Sequence, residues 1–137
     1  MTKAKKQFQL LESNEICLIY NFLYQDGEIS FPLNQNAQFK IDAVVGNITG
    51  EFFGTELYPS IEEKVVAYLW FIVKAHAFTD GNKRTAVTVF YVLARRNNLD
   101  LNPEWADRLD EMATWIEAYK QEDYQQLIYK IAQLVFR

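Results

Sequence analysis

Two apolar runs on either side of one short polar segment set the main constraint on how this chain can fold. Residues 65–73 and 85–94 contain no charged residue, and each run is about half as long as a membrane span requires. Both are typical of buried helices, and the second is apolar on most sides. Since a helix that is hydrophobic nearly all round lies at the centre of its domain, we expect the second run to be central. Its burial would fix the position of the polar segment that precedes it.

The rest of the sequence predicts a mainly α fold of about six helices in a single domain over residues 1–137. The chain has only 5 glycines and 3 prolines, so its loops are short. Ser13 or Asn14 is expected to cap a first helix that ends at residues 26–27. Ser60 and Glu63 form a capping box that opens a helix over residues 61–75. The other helices are predicted at residues 37–45, 82–97, 103–120 and 123–136.

Apolar residues at helical spacing predict which face of each helix is buried. For the first helix these are Ile16, Ile19, Tyr20 and Leu23, and for the second they are Phe39 or Ile41 with Val44 and Val45. For the fifth they are Trp105, Leu109, Met112 and Ile116 or Trp115, and for the sixth Leu127, Ile131 and Leu134. All of these aromatic and aliphatic positions are expected to be core.

Composition excludes several classes of protein. The net charge of −4 argues against a general nucleic-acid binder, for which a basic surface is usual. The basic start, with Lys3, Lys5 and Lys6, lacks the apolar stretch of a signal peptide, and no run is long enough to cross a membrane. The single cysteine, Cys17, permits no internal disulfide and is expected to be a small core residue. Together these features predict a cytoplasmic protein without membrane or nucleic-acid partners.

The polar segment between the two apolar helices contains the parts of a phosphate-handling site. His76, the only histidine, could take a proton from a substrate hydroxyl near neutral pH. Asp80 offers a hard oxygen ligand for Mg²⁺. Gly81 permits a tight turn, so that the next helix starts at Asn82 with its free N–H groups forming an anion site.

Two positively charged residues follow Asn82 directly in the sequence. Lys83 and Arg84 add positive charge to this helix start, the arginine as a fork for two phosphate oxygens. Each residue alone also fits an ordinary turn between two helices. The whole array in order favours phosphoryl or nucleotidyl transfer to a hydroxyl, with Phe78 pinning the loop to the core.

Segment 76–86 (HAFTDGNKRTA) resembles the signature loop of the Fic/Doc superfamily, and in detail the Doc pattern HxFxxxNKRTA. The resemblance implies a Fic/Doc-type helical domain with ATP as substrate and Mg²⁺ as cofactor. By the same resemblance the catalytic residues are His76 as the base, Asp80 as the metal ligand or the residue that orients a metal-bound water, and Arg84. Gly81, Asn82, Lys83 and Arg84 would hold the phosphates.

The segment departs from the broader Fic pattern HPFx(D/E)GNGRxxR at three positions. Ala77 replaces the proline, Lys83 the second glycine, and Val87 the last arginine. In Fic AMP transferases that glycine leaves room for the phosphates and that arginine grips one of them. In the Doc branch the lysine goes with a reversed nucleotide that presents its terminal phosphate. The resemblance therefore implies a protein kinase acting on a translation factor, elongation factor Tu being the family's known target. An AMP or other nucleotidyl transferase and a catalytically idle binding domain are the alternatives.

Two further expectations concern partners. Residues 46–57 are the one stretch typical of extended or looped structure, and in the family a short β-hairpin flap at this place aligns the target peptide. Phe52 and Phe53 are candidate clamp residues, or else this is a connector whose phenylalanines plug the core. The chain has no Ser/Thr-x-x-x-Glu-Gly/Asn segment of the kind that restrains many Fic enzymes, which implies restraint by a separate antitoxin.

Overall fold

A computed structural model describes residues 7–137, and within them the fold is mainly α with six helices, as predicted. The helices are α1 (Ser13–Gln25), α2 (Ala37–Thr49), α3 (Ile61–Ala75), α4 (Asn82–Arg96), α5 (Leu109–Ala118) and α6 (Tyr124–Val135). Between α2 and α3, the strands β1 (Glu51–Phe52) and β2 (Thr55–Glu56) pair antiparallel. The basic start with Lys3, Lys5 and Lys6 lies outside the described residues. No helix in residues 7–137 is both long and apolar enough to cross a membrane.

Helix α3 lies at the centre of the fold and packs against α2, α4, α5 and α6. Its residues 64–70 are all buried, and its N-terminal cap is the predicted one: the Ser60 hydroxyl accepts from the Glu63 N–H at 3.0 Å. Helix α4 packs against α1, α3 and α5 and is buried along most of its length. Because both helices are held by the core, the ends of α3 and α4 that flank residues 76–81 are fixed in space.

Helix α1 is capped one residue earlier than predicted. The Glu15 carboxylate accepts from the backbone N–H of Glu12 at 3.1 Å, so Glu12 is the cap and neither Ser13 nor Asn14 has that role. The Ser13 hydroxyl instead donates to the Asp42 carboxylate of α2, so the Ser13 side chain does not cap α1. The inward face is as predicted, with Ile16, Tyr20 and Leu23 buried and Ile19 partly buried, and Cys17 is a core residue.

Helix α2 runs to Thr49 rather than ending near Val45. Ile48 is buried on the same face as Ile41, so tertiary packing outweighs the low helix propensity of Gly46. Of the two alternatives for the inward residue, Ile41 is correct, because the Phe39 side chain is 79% exposed.

Helix α5 begins at Leu109, so the prediction of a start at Pro103 is wrong. Residues 103–107 form turns in which the Asn102 side chain accepts from the Glu104 N–H at 3.2 Å. This local bond competes with helix formation. Trp105 is only partly buried, and Ile116 rather than Trp115 faces the core.

The inward stripe of α6 is also displaced from the prediction. Helix α6 buries Ile131, as predicted, together with Ile128, Ala132 and Val135, whereas Leu127 is only partly buried and Leu134 is 44% exposed. The true stripe is shifted by one residue because Val135 and Phe136 are drawn into the core, where Phe136 stacks on Phe90 of α4.

Candidate functional site

In the loop between α3 and α4, residues 76–81, the side chains in the middle are buried and those on either side are exposed. His76 ends α3 in the left-handed conformation, with φ of 48°, and its side chain is exposed. Ala77 and Phe78 turn back into the core. Asp80 faces solvent, and Gly81 caps α4 with φ of 78°. The loop is therefore anchored at its middle, as expected for Phe78, while its polar residues face outward.

The side chain of Asn82 closes this loop. Its carbonyl oxygen accepts from the Phe78 N–H at 3.1 Å, and its amide donates to the Phe78 carbonyl oxygen at 2.9 Å. The first bond inside α4 runs from the Thr85 N–H to the Gly81 carbonyl oxygen at 2.9 Å. Because the preceding N–H groups have no partner within the helix, the start of α4 is a place where an anion is stabilised.

A cavity of about 420 Å³ opens at this helix start. Its lining consists of Glu28, Thr79, Asp80, Gly81, Asn82, Lys83, Arg84, Asp110, Thr114 and Glu117. The structure thus brings five of the predicted site residues, 80–84, to one cavity. His76 is not part of the lining and lies at the end of α3 outside the cavity wall.

Both cations of the cavity are paired with carboxylates. Lys83 Nζ lies 3.3 Å from Glu117 Oε1, and the Arg84 guanidinium lies 3.0 Å from Glu28 Oε1 and 3.6 Å from Asp110 Oδ1. All of these side chains are substantially exposed, so each pair contributes little to stability, about 0–1 kcal/mol. Incoming phosphate oxygens could replace the carboxylates at small cost.

These acidic partners are the part of the site that sequence reasoning missed. Asp110, Thr114 and Glu117 are spaced by four and three residues, which places them on one face of α5. The spacing could have identified a shared polar face, but not that this face looks onto the start of α4. Glu28 lies between α1 and α2 and carries no comparable signal.

Asp80 is suited to a metal that comes with a nucleotide. Among residues 7–137 no group of three or more His, Cys, Asp or Glu side chains could hold a metal ion by itself. Mg²⁺ is commonly held by one or two carboxylates together with substrate phosphates and water. The Asp80 carboxylate beside an anion-binding helix start fits that arrangement.

Residues 51–56 form the expected hairpin. Phe53 and Gly54 make its turn with φ of 53° and 76°, the positive values that tight hairpin turns require. The Phe53 side chain is 93% exposed, so Phe53 does not plug the core. This phenylalanine lies at the tip of the hairpin.

Comparison with known proteins agrees with this geometry. The family model described as Fic/DOC family matches residues 10–94, a range that contains the α3–α4 loop and the start of α4. The chain is 30% identical over 79 residues to Toxin Doc of Mycolicibacterium smegmatis (strain ATCC 700084 / mc(2)155), covering 54% of this chain and 61% of that relative. The chain thus spans less than two thirds of the length of this curated relative. No solved structure matches the chain significantly. Because the family model covers more than half of the sequence, including the cavity loop, the chain belongs to the Fic/DOC family.

Proposed function

We propose that this protein is a Doc-like toxin that transfers the γ-phosphate of ATP to a hydroxyl of a translation factor, with elongation factor Tu as the expected target. Membership of the Fic/DOC family supports a transferase, and similarity to a protein named Toxin Doc supports a toxin restrained by a separate antitoxin. The observation that carries the proposal is the gathering of Asp80, Lys83 and Arg84 in one cavity at the start of α4.

The proposed reaction uses these residues as follows. His76 takes the proton of the target hydroxyl while its oxygen forms a bond to the γ-phosphorus. The bond from the γ-phosphorus to the bridging oxygen breaks, and ADP leaves with that oxygen. Lys83 and Arg84 stabilise the phosphate charge. Asp80 would hold Mg²⁺, which when bound neutralises part of the charge of the triphosphate.

The position of His76 supports its role as the base, separate from the residues that bind the phosphates. Its side chain is exposed at the end of α3 and does not line the cavity. A base that meets a hydroxyl of another protein has to be accessible from outside, whereas the phosphate-binding groups belong inside the cavity. The hairpin 51–56, with Phe52 and Phe53, is the proposed contact for the target peptide.

Two residues favour transfer of the terminal phosphate over transfer of AMP. Lys83 lines the cavity at the position where the Fic pattern has a glycine. Val87, at the place of the last Fic arginine, is only 2% exposed and belongs to the core. The cavity therefore lacks one phosphate ligand of an AMP transferase, and a lysine side chain takes up room that such an enzyme leaves for the nucleotide.

The test is transfer of label from ATP to purified elongation factor Tu in the presence of Mg²⁺. Separate reactions contain ATP labelled at the α or the γ phosphate. Label arriving from γ supports the kinase, label from α supports nucleotidyl transfer, and absence of label from both positions points to a binding domain. A bacterial lysate labelled in parallel shows whether another protein is the target.

Two variants complete this test. His76→Ala should lower the rate roughly 10²- to 10⁴-fold, the usual loss of a general base, with ATP affinity retained. Asn47→Ala, at an exposed position of α2 outside the cavity lining, is the matched control and should keep the wild-type rate. A His76→Ala protein that transfers phosphate at full rate would remove His76 from the reaction.

A further inference from the structure

The α3–α4 loop is supported from inside the core by Tyr20 of α1. The rings of Tyr20 and Phe78 are stacked, with centroids 4.3 Å apart and planes inclined by 17°. Tyr20 is 0% exposed and Phe78 is 3% exposed. The middle of the loop therefore rests on the Tyr20 ring.

The hydroxyl of the same tyrosine holds a second segment. Tyr20 Oη donates to the backbone carbonyl oxygen of Phe31 at 2.6 Å, which ties the connection between α1 and α2, residues 26–36, to helix α1. Burial raises the pKa of the Tyr20 phenol, and the nearby negative charge of Asp80 raises it further. The phenol thus stays protonated as a donor.

Residues 26–36 in turn contact the anion-binding end of α4. The Ile29 side chain, 2% exposed, lies so close to Gly81 that a β-carbon built on Gly81 would be 2.5 Å from Ile29 Cδ1. The neighbouring Glu28 pairs with Arg84 and lines the cavity. One side of the cavity is therefore a segment outside the family signature, which is held to α1 by the Glu28 N–H on the Leu23 carbonyl oxygen at 2.9 Å and by the Tyr20 hydroxyl on Phe31.

We infer that Tyr20 is a positioning residue of the nucleotide site. Its ring carries the α3–α4 loop and its hydroxyl sets segment 26–36 against Gly81 and Arg84. The inference rests on the proposed function in that the ligand is taken to be ATP. Loss of the hydroxyl alone leaves the ring under Phe78, so it should loosen the packing of Ile29 against Gly81 at the start of α4 and weaken ATP binding there without removing the base.

The experiment compares Tyr20→Phe with Tyr68→Phe. Tyr68 is also 0% exposed, and its hydroxyl donates to the Leu11 carbonyl oxygen at 2.8 Å, but Leu11 does not line the cavity, whereas the segment 26–36 held by Tyr20 contributes Glu28 to the lining. Each variant loses one hydrogen bond from the phenol of a buried tyrosine to a backbone carbonyl oxygen, so we expect similar losses of stability in denaturant. Only Tyr20→Phe should raise the Kd and KM for ATP with Mg²⁺, by roughly 3- to 10-fold, the effect of one lost hydrogen bond. Its kcat should stay within about two-fold of wild type.

Hydrogen exchange of the backbone amides in residues 28–33 and 77–82 provides a readout that needs no nucleotide. Exchange there should be faster in Tyr20→Phe than in Tyr68→Phe. If wild type does not bind ATP, the proposed function fails while the exchange rates still decide the role of Tyr20. Equal exchange in the two variants, or equal ATP affinity where wild type binds ATP, would overturn the inference.

Discussion

The side-chain amide of Asn82 bonds to both backbone groups of Phe78, accepting from the N–H and donating to the carbonyl oxygen. These two bonds close residues 78–82 into a ring at the start of α4. The Asn82 side chain is therefore engaged in holding the loop. We expect the proposed contact of Asn82 with phosphate to be made by its backbone N–H, which is free at the first turn of the helix.

Replacement of this side chain should open the ring. Asn82→Ala removes both bonds to Phe78 and should lower the free energy of unfolding by about 1–3 kcal/mol, because part-buried backbone groups lose their partners. Denaturant unfolding measures the loss, with the exposed Asn47→Ala on α2 as control. Equal stability of the two variants would show that the ring contributes nothing.

A side chain at Gly81 would be destabilising for two reasons, the left-handed backbone of Gly81 and its close approach to Ile29. Comparison with Gly27 separates these two costs. Gly81 and Gly27 have nearly the same φ, 78° and 80°, but a β-carbon on Gly27 would have no atom within 4 Å. Gly27→Ala should therefore cost about 1–2 kcal/mol for the left-handed conformation alone. Gly81→Ala should cost a further 1–3 kcal/mol or so for overpacking against Ile29.

Denaturant unfolding of Gly27→Ala, Gly81→Ala, Ile29→Ala and the double variant Gly81→Ala with Ile29→Ala tests this. The double variant should lose less stability than the sum of its single changes, since the smaller side chain relieves the crowding. Additive losses would mean that the Ile29 contact is not what excludes a side chain at Gly81.

The sequence predicted the parts of the site that are local in the chain. The capping box of Ser60 and Glu63, the start of α4 at Asn82 and the anchoring of Phe78 all depend on spacings of a few residues. Tyr20 was predicted as core, but its link to Phe31 and Phe78 could not be, because it joins segments that only the tertiary fold brings together. The start of α5 at Leu109 was missed for a different reason: Pro103 is a legitimate first helical residue in isolation, and the local bond from the Glu104 N–H to the Asn102 side chain competes with the helix there.

Removal of the buried hydroxyl of Thr85 is expected to raise stability. Thr85 is 0% exposed in the first turn of α4, and its Oγ1 has no hydrogen-bond partner among the described residues. Thr85→Val replaces this hydroxyl with a methyl group of similar size, so it should raise the free energy of unfolding by about 1 kcal/mol. Thr88→Val is the contrast, because the Thr88 hydroxyl donates to the Arg84 carbonyl oxygen at 2.9 Å. A Thr85→Val protein that is less stable than wild type would show that the hydroxyl has a partner in solution.

The pairing of Glu28 with Arg84 should weaken phosphate binding. Glu28→Gln removes a carboxylate that lies 3.0 Å from the Arg84 guanidinium, so ATP meets one fewer competing anion. Because the pair is exposed, affinity for ATP with Mg²⁺ should rise only about two- to five-fold at low salt, and less at high salt. Glu104→Gln makes the same change in net charge at an exposed position outside the cavity lining and should have little effect. Calorimetric titrations in which Glu28→Gln binds ATP more weakly than wild type would contradict this account.

Lys83 is the residue to which we assign the direction of transfer. Its side chain starts in the first turn of α4, lines the cavity and pairs with Glu117. In the proposed pose it occupies the space where a Fic-type nucleotide places its inner phosphates. Lys83→Gly clears that space and should abolish transfer of γ-phosphate. AMP transfer should remain feeble, because Val87 lies in the core and supplies no group that binds a phosphate.

The intact mass of the target distinguishes the products, one gaining a phosphate and the other a nucleotide. Lys40→Gly is the matched control, since it removes one exposed lysine and places glycine in the first turn of α2, outside the cavity lining. Both variants should lose about 1 kcal/mol of helix stability from glycine, so a loss of transfer confined to Lys83→Gly reports on the site. If Lys83→Gly instead transfers γ-phosphate at the wild-type rate, the lysine does not set the orientation of the nucleotide, and the preference for a kinase over an AMP transferase loses its main support.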